Sequence, residues 1–167
     1  ETGAKMEYLR LLFEEQGEAT LSSDGFKAFF RDNSFWLRPY AAFCSLRDRF
    51  GTADFSCWEE HSFYDESAIA DYCAVWSPWY KSVALYYYIQ YHLHVQLSEV
   101  KEYAHRAGVV LKGDIPIGIS RTSVDAWVNP KLFHMDSQAG APPDDFSIEG
   151  QNWGFPTYNW EVMARDG

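Results

Sequence analysis

Cysteine is scarce in this chain. The three cysteines, Cys44, Cys57 and Cys73, are odd in number, and no Cys-x-x-Cys spacing occurs. This pattern argues against a disulfide scaffold and predicts reduced thiols, which are typical of a cytoplasmic protein.

Basic residues are also few. Lys and Arg number 14 against 24 Asp and Glu, which gives a formal net charge of −10. Phosphate backbones and anionic lipids are repelled by such a chain, so we expect neither a nucleic-acid nor a membrane partner. Long uncharged apolar runs and a basic-then-apolar leader are both lacking, so no membrane segment is expected. A neutral ligand is compatible with this charge.

Aromatic residues, by contrast, are abundant. They make up 18% of the 167 residues and are spread along the chain, which argues against disorder. A chain of this length can bury one real core.

Apolar spacing predicts helices over most of the first 107 residues. Caps and glycines suggest where they begin and end. The predicted elements are a helix ending over Met6–Glu15, a break at 17–23, a short helix capped by Asp24, a helix from about Ser34 to Gly51, and a short helix over Glu66–Tyr72.

The clearest predicted element is a long helix from about Pro78 to Ala107. Ser77 is a favourable cap before Pro78, and Gly108 is a favourable stop. His92 and His94, two apart on this helix, point about 200° apart, so they cannot share a metal ion. We expect no metal site and no cofactor.

An aspartate follows directly after an apolar run. Val109–Leu111 reads as a short β-strand, and Asp114 comes three residues after it. A carboxylate at the carboxyl end of a strand lies where α/β barrels carry their chemistry. The alternative is an aspartate that caps a turn.

The stretch that follows is rich in Gly and Pro. Ser123 is expected to cap a short helix, 136–145 to form a loop, 150–156 to form a tight turn, and Asn159 to cap a last helix. Gln151 and Trp153 are two apart in an extended segment, so their side chains point the same way. A tryptophan face packs on the C–H faces of sugars and an amide pairs with their hydroxyls. The alternative is a core tryptophan with a surface glutamine.

Several motifs in this order resemble the 4-α-glucanotransferases, the amylomaltase or disproportionating-enzyme family (glycoside hydrolase family 77). They are GDIPIG at 113–118, the spacing of Ser123, Asp125 and Trp127, GAPPD at 140–144, and QNWGFPTYNW at 151–160. The form with Phe155 looks like that of the plant cytosolic members. The resemblance covers nearly the whole chain.

The resemblance implies an enzyme that cuts an α-1,4-glucan and passes the glucosyl piece to an acceptor sugar with retention. It implies malto-oligosaccharide contacts from five residues of this sequence: Asp114, Pro143, Asp144, Gln151 and Trp153. Asp114 would orient hydroxyls and support a positive transition state. The loop with Pro143 and Asp144 would cover the substrate cleft.

The resemblance is incomplete in two respects. Asp145 stands where the family commonly has Tyr, and Phe155 where bacterial amylomaltases have Asn. A retaining enzyme also needs two carboxylates about 5–5.5 Å apart, and the family's motifs for them do not occur here. We therefore expect this chain to be an inactive part of the enzyme with no catalytic residue of its own. It would pair with the remainder of the same barrel.

The expected fold is mainly α with a few short strands, part of a (β/α)8 barrel. Residues 1–107 would be a helical subdomain inserted in the barrel, and 108–167 a barrel strand with substrate-side loops. Two other readings stay open: a non-catalytic carbohydrate-binding or structural helical domain, and a protein-interaction module built on exposed apolar surface.

Overall fold

A computed structural model describes residues 2–166, most of which are helical. The prediction of a mainly α chain with few short strands is therefore confirmed. Every helix in this part of the chain is too short or too polar to cross a lipid bilayer. The helices and strands are α1 (Thr2–Ser22), α2 (Asp24–Phe50), α3 (Glu66–Tyr72), α4 (Tyr80–Arg106), α5 (Val124–Val128), β1 (Phe133–His134), β2 (Gly140–Ala141), β3 (Gln151–Asn152), β4 (Thr157–Tyr158) and α6 (Trp160–Asp166).

The chain forms two compact units. The first contains the residues up to Arg49 together with Asp65–Gly113, and the second contains Phe50–Tyr64 together with the residues from Asp114 onward. The division into 1–107 and 108–167 stays a prediction.

Helix α4 lies at the centre of the first unit. Its residues 83–88 are all buried, including the run Tyr86–Tyr88. The ring of Tyr88 meets Phe13 of α1 at 5.4 Å, and the ring of Tyr87 meets Phe30 of α2 at 5.1 Å. The predicted long helix is thus confirmed, although its first turn begins at Tyr80 rather than at Pro78.

The predicted break at 17–23 is wrong. Helix α1 continues through Gly17 to Ser22. Gly17 is buried, and a Cβ there would lie 2.5 Å from the Phe13 ring, so the glycine provides room for that ring. The two helices predicted from Asp24 and from Ser34 are one helix, α2, which holds Pro39 in its interior. Its first turn is capped by the Ser23 hydroxyl, which accepts from the Phe26 amide.

The strand predicted at Val109–Leu111 is not formed within the described residues. This segment has no regular secondary structure and pairs with no strand of the described residues, and Val110 is 80% exposed. A strand requires a neighbour for its amides and carbonyls, and this segment has none there. The buried face of α4 does not run to its end, because Leu97 and Val100 are exposed.

The second unit is built around Trp127 on α5. Its indole Nε1 donates to the carbonyl oxygen of His61 at 3.0 Å, and its ring meets Trp58 edge to face at 5.6 Å. Ser123 caps α5 by accepting from the Ala126 amide, as predicted. Asn159 caps α6 by accepting from the Val162 amide, also as predicted.

Candidate functional site

The Gly- and Pro-rich loop of the second unit is a hairpin with a long tip. We call residues 137–153 the flap. Strands β2 and β3 pair antiparallel, Gly140 with Asn152 and Ala141 with Gln151. The ladder is extended at the base by a hydrogen bond of 2.9 Å from the Trp153 amide to the Ala139 carbonyl. The chain on both sides of the flap is paired too, since β1 pairs with β4.

Gln151 and Trp153 lie together at the base of the flap. The indole Nε1 of Trp153 donates to the side-chain oxygen Oε1 of Gln151 at 3.0 Å. The predicted common direction of these two side chains is therefore confirmed by direct contact. Trp153 is 44% exposed, so it is not a core residue as Trp127 is.

Phe155 extends the aromatic surface of Trp153. The two ring centroids are 5.8 Å apart and the planes are tilted by 32°. A Cβ at Gly118 would lie 2.3 Å from the Phe155 ring, so this glycine lets the ring pack against the segment that follows Asp114. In this chain Phe155 therefore places an aromatic ring beside Trp153.

Pro143 and Asp144 lie at the tip of the flap and are exposed. The carboxylate oxygen Oδ1 of Asp144 accepts from the amides of Phe146 at 2.9 Å and Ser147 at 2.7 Å. One carboxylate oxygen therefore shapes the turn, and the other accepts no hydrogen bond from the described residues. The two sides of the flap lie close together here, because a Cβ at Gly150 would lie 3.2 Å from the Pro143 nitrogen.

Asp114 is exposed in the irregular segment before Gly118. Its Oδ1 accepts from the Ile115 amide at 3.0 Å, which is the turn-capping alternative. Within residues 2–166, Asp114 has no hydrogen bond or ion pair with Gln151, Trp153, Pro143 or Asp144. The structure thus brings Gln151 and Trp153 together and leaves Asp114 as a carboxylate with one free oxygen.

Two residues at the site were missed by sequence reasoning. Phe146, which follows Asp145, is 96% exposed at the tip of the flap. Arg121 is half-buried and donates to three backbone carbonyls, those of Met135, Ser137 and Gly154. The only signal for it is that a single basic residue stands between Lys112 and Lys131. No three His, Cys, Asp or Glu side chains among the described residues are arranged to hold a metal ion.

Comparison with known proteins gives one consistent family. The family model described as 4-alpha-glucanotransferase matches residues 2–167. The 4-alpha-glucanotransferase DPE2 of rice (Oryza sativa subsp. japonica) is 47% identical over 163 residues, which are 98% of this chain and 17% of the rice protein. The 4-alpha-glucanotransferase of Chlamydia muridarum is 36% identical over 138 residues, 83% of this chain and 25% of the relative.

Solved structures agree with these sequence relatives. The amylomaltase from Streptococcus agalactiae, determined in complex with acarbose, superposes with a TM-score of 0.77 and 30% identity over 96% of this chain and 34% of that protein. The amylomaltase from Corynebacterium glutamicum superposes with a TM-score of 0.70 and 23% identity, a likeness of fold, and covers 99% of this chain and 21% of that protein. The chain therefore spans about a third or less of each of these proteins.

Proposed function

The chain belongs to the 4-alpha-glucanotransferase family, and we propose that it is the substrate-side part of an enzyme that transfers α-1,4-glucan segments to an acceptor sugar with retention. In this proposal residues 1–107 are a helical subdomain inserted in a (β/α)8 barrel. Residues 108–167 provide one barrel strand and the loops above it. The remainder of the same barrel supplies the nucleophile and the acid/base.

The observation that carries the proposal is the exposed pair of Gln151 and Trp153 at the base of the flap. A ring with a free face and an amide beside it match the two kinds of surface that a sugar presents. The hydrogen bond between them uses the only donor of the indole and fixes the amide orientation. A malto-oligosaccharide would stack on Trp153 and accept a hydrogen bond from the Gln151 amide group.

The flap acts as a lid over this sugar. Pro143 stiffens its tip, and the other carboxylate oxygen of Asp144 can accept from a sugar hydroxyl. The exposed ring of Phe146 gives the tip an apolar surface that a bound glucan would cover. The Phe146 ring also takes the place of the aromatic side chain that the family commonly has where this chain has Asp145.

Asp114 orients glucan hydroxyls from the other wall of the cleft. Its free carboxylate oxygen accepts hydrogen bonds, and its charge supports a positive transition state. The exposed apolar side chains around it, Val110, Ile115 and Ile117, support a barrel strand that is completed by neighbouring strands of the same barrel. No cofactor enters the reaction, and free Cys44, Cys57 and Cys73 fit a cytoplasmic setting.

The test is disproportionation of maltotriose. The full-length protein should release glucose and form longer oligomers, whereas this chain alone should do neither, because the two carboxylates of a retaining mechanism must come from elsewhere. Activity of the pure 167-residue chain, or its absence from the full-length protein, would contradict the proposal. If the full-length protein binds maltotriose without turnover, the non-catalytic carbohydrate-binding alternative is correct.

A further inference from the structure

Arg121 joins the two ends of the flap. Its Nη1 and Nη2 donate to the carbonyl oxygens of Met135 and Ser137, where the flap begins. Its Nε donates to the carbonyl oxygen of Gly154 at 3.2 Å, immediately after the flap ends. One side chain thus holds two chain segments that are separated by the whole length of the flap.

The guanidinium group is suited to this task. It is planar and presents N–H donors in a fixed fork, so it can bind several carbonyl oxygens in one geometry. No carboxylate among the described residues pairs with Arg121, so its hydrogen bonds to the backbone are its defined contacts. The side chain is half-buried, where hydrogen bonds from a charged donor are stronger than in water.

The residues that Arg121 holds lie next to the sugar platform. Gly154 directly follows Trp153. Ser137 lies two residues before Ala139, whose amide donates to the Phe155 carbonyl and whose carbonyl accepts from the Trp153 amide, both at 2.9 Å. A change in the Arg121 contacts would therefore move Trp153 and, through its indole hydrogen bond, Gln151.

We propose that Arg121 is a positioning residue that fixes both ends of the flap and so sets the placement of Trp153 and Gln151 toward the bound glucan. This inference rests on the proposed function, since it names how that same site is held. The two ends of the flap then stay fixed by Arg121, and only the part of the flap between them moves. Misplacement of a binding group by about 1 Å can cost on the order of 100-fold in rate.

The experiment compares Arg121→Met with the control Arg165→Met in the full-length protein. Arg165 is exposed, and within the described residues its ion pair is with Glu161 one helical turn away, so its loss should leave the site unchanged. For Arg121→Met we expect the KM for maltotriose to rise about tenfold and kcat to fall, on the scale of a misplaced contact. A smaller folded fraction would lower kcat without raising KM, so KM separates positioning from stability.

Two further measurements keep the inference testable if Arg121→Met folds poorly. Arg121→Lys keeps the charge, but an ammonium group cannot span carbonyls on both segments, so its KM should stay raised. Added guanidinium at low concentration should lower the raised KM of Arg121→Ala, whereas methylammonium should not. Normal KM in Arg121→Lys, or equal rescue by both cations, would show that charge alone is needed.

Amide hydrogen exchange separates this inference from the proposed function. The amides of Ala139 and Trp153 should exchange faster in Arg121→Met than in the parent, whether or not the protein has activity. If exchange rises and the parent does not act on maltotriose, Arg121 positions the flap and the proposed function is wrong. If the parent is active and Arg121→Met retains its KM and its exchange rates, the inference is overturned.

Discussion

The indole nitrogen Nε1 of Trp153 donates a hydrogen bond of 3.0 Å to the side-chain oxygen of Gln151. An indole N–H can only donate, so the amide must present its oxygen to Trp153 and its NH₂ group outward. The pair thus has one defined polar direction, a donor, beside one aromatic face. Sugar hydroxyl oxygens accept from such a donor while the C–H face of the ring packs on the indole.

Replacement of Trp153 by alanine removes the aromatic face. In the full-length enzyme Trp153→Ala should cost on the order of 1–3 kcal/mol of transition-state stabilisation, the scale of burying one large side chain. Folding should change little, because the ring is 44% exposed in this chain. The measurement is kcat/KM for maltotriose together with the melting temperature.

Trp76→Ala is the matched control, since Trp76 is 79% exposed in the other unit and has no place in the proposed site. It should leave kcat/KM unchanged. If Trp153→Ala unfolds the protein while activity per folded molecule survives, Trp153 supports the fold and is not a sugar platform.

Two glycines near the site offer a matched pair. Gly150 and Gly154 have nearly equal positive φ angles of 76° and 77°. A Cβ at Gly150 would lie 2.7 Å from the Ala141 carbonyl oxygen, whereas a Cβ at Gly154 would meet nothing within 4 Å. Gly154→Ala should therefore cost about 1–2 kcal/mol of stability from backbone strain alone.

Gly150→Ala carries the same strain and in addition pushes β2 away from β3. It should be more destabilising than Gly154→Ala by urea denaturation, and it should raise the KM for maltotriose because Gln151 lies in β3. Equal stability of the two variants would mean that the hairpin opens at no cost and that β2 and β3 do not fix the flap.

Local chemistry made much of this structure predictable from sequence. Ser123 and Asn159 cap the helices that follow them, and Gly51 and Gly108 take positive φ where helices end. Each of these features depends on a few adjacent residues, so the sequence signal is complete. The direction shared by Gln151 and Trp153 is of the same kind.

Features set by distant residues were not predictable. Gly17 does not break α1, because the Phe13 ring packs over it. Val109–Leu111 has the composition of a strand but no paired neighbour in the described part of the chain. Arg121 binds backbone carbonyls of residues 14 to 33 positions away, and carbonyls leave no pattern in a sequence. Packing and backbone contacts of this range become visible only in the fold.

Two adjacent tyrosines of α4 should respond in opposite ways to loss of the hydroxyl. Tyr86 donates to Asp48 Oδ2 at 2.5 Å. The buried Tyr87 hydroxyl forms no hydrogen bond of normal geometry among the described residues, and the neighbouring Cys73 thiol donates to the Arg38 carbonyl. Loss of a hydrogen bond to a charged group costs about 1.5–3 kcal/mol, whereas loss of an unpaired buried hydroxyl costs nothing.

Tyr86→Phe should therefore lower the free energy of unfolding by roughly that amount, and Tyr87→Phe should leave it unchanged or raise it. Urea denaturation of both variants provides the measurement, with each as the size-matched control of the other. A comparable loss in Tyr87→Phe would reveal a partner for its hydroxyl.

Stability should fall in alkali because of the half-buried Tyr40 in the first unit. Burial raises the pKa of Tyr40 to about 12, with a further contribution from the neighbouring Cys44. The unfolded chain loses this proton near pH 10, so between about pH 10 and 12 the unfolded state binds fewer protons than the folded state. The free energy of unfolding then decreases as pH rises. Tyr40→Phe should flatten part of that decrease, while Tyr103→Phe, at a side chain that is 71% exposed, should not.

The flap should be the internal segment most open to cleavage. Its middle has no regular pairing beyond β2 and β3, and Phe146 and Ile148 at its tip are 96% and 89% exposed. Pro142 and Pro143 stiffen one side, so the tip should swing away from the protein as one piece while the two ends of the flap stay in place. Limited chymotrypsin digestion of the full-length protein should therefore cut after Phe146 before it cuts after Phe63, although Phe63 is 85% exposed. Maltotriose should slow the first cut and leave the second unchanged, because only the flap is proposed to close over the sugar. If the sugar protects neither position, or both to the same degree, the flap is not the lid of a glucan site.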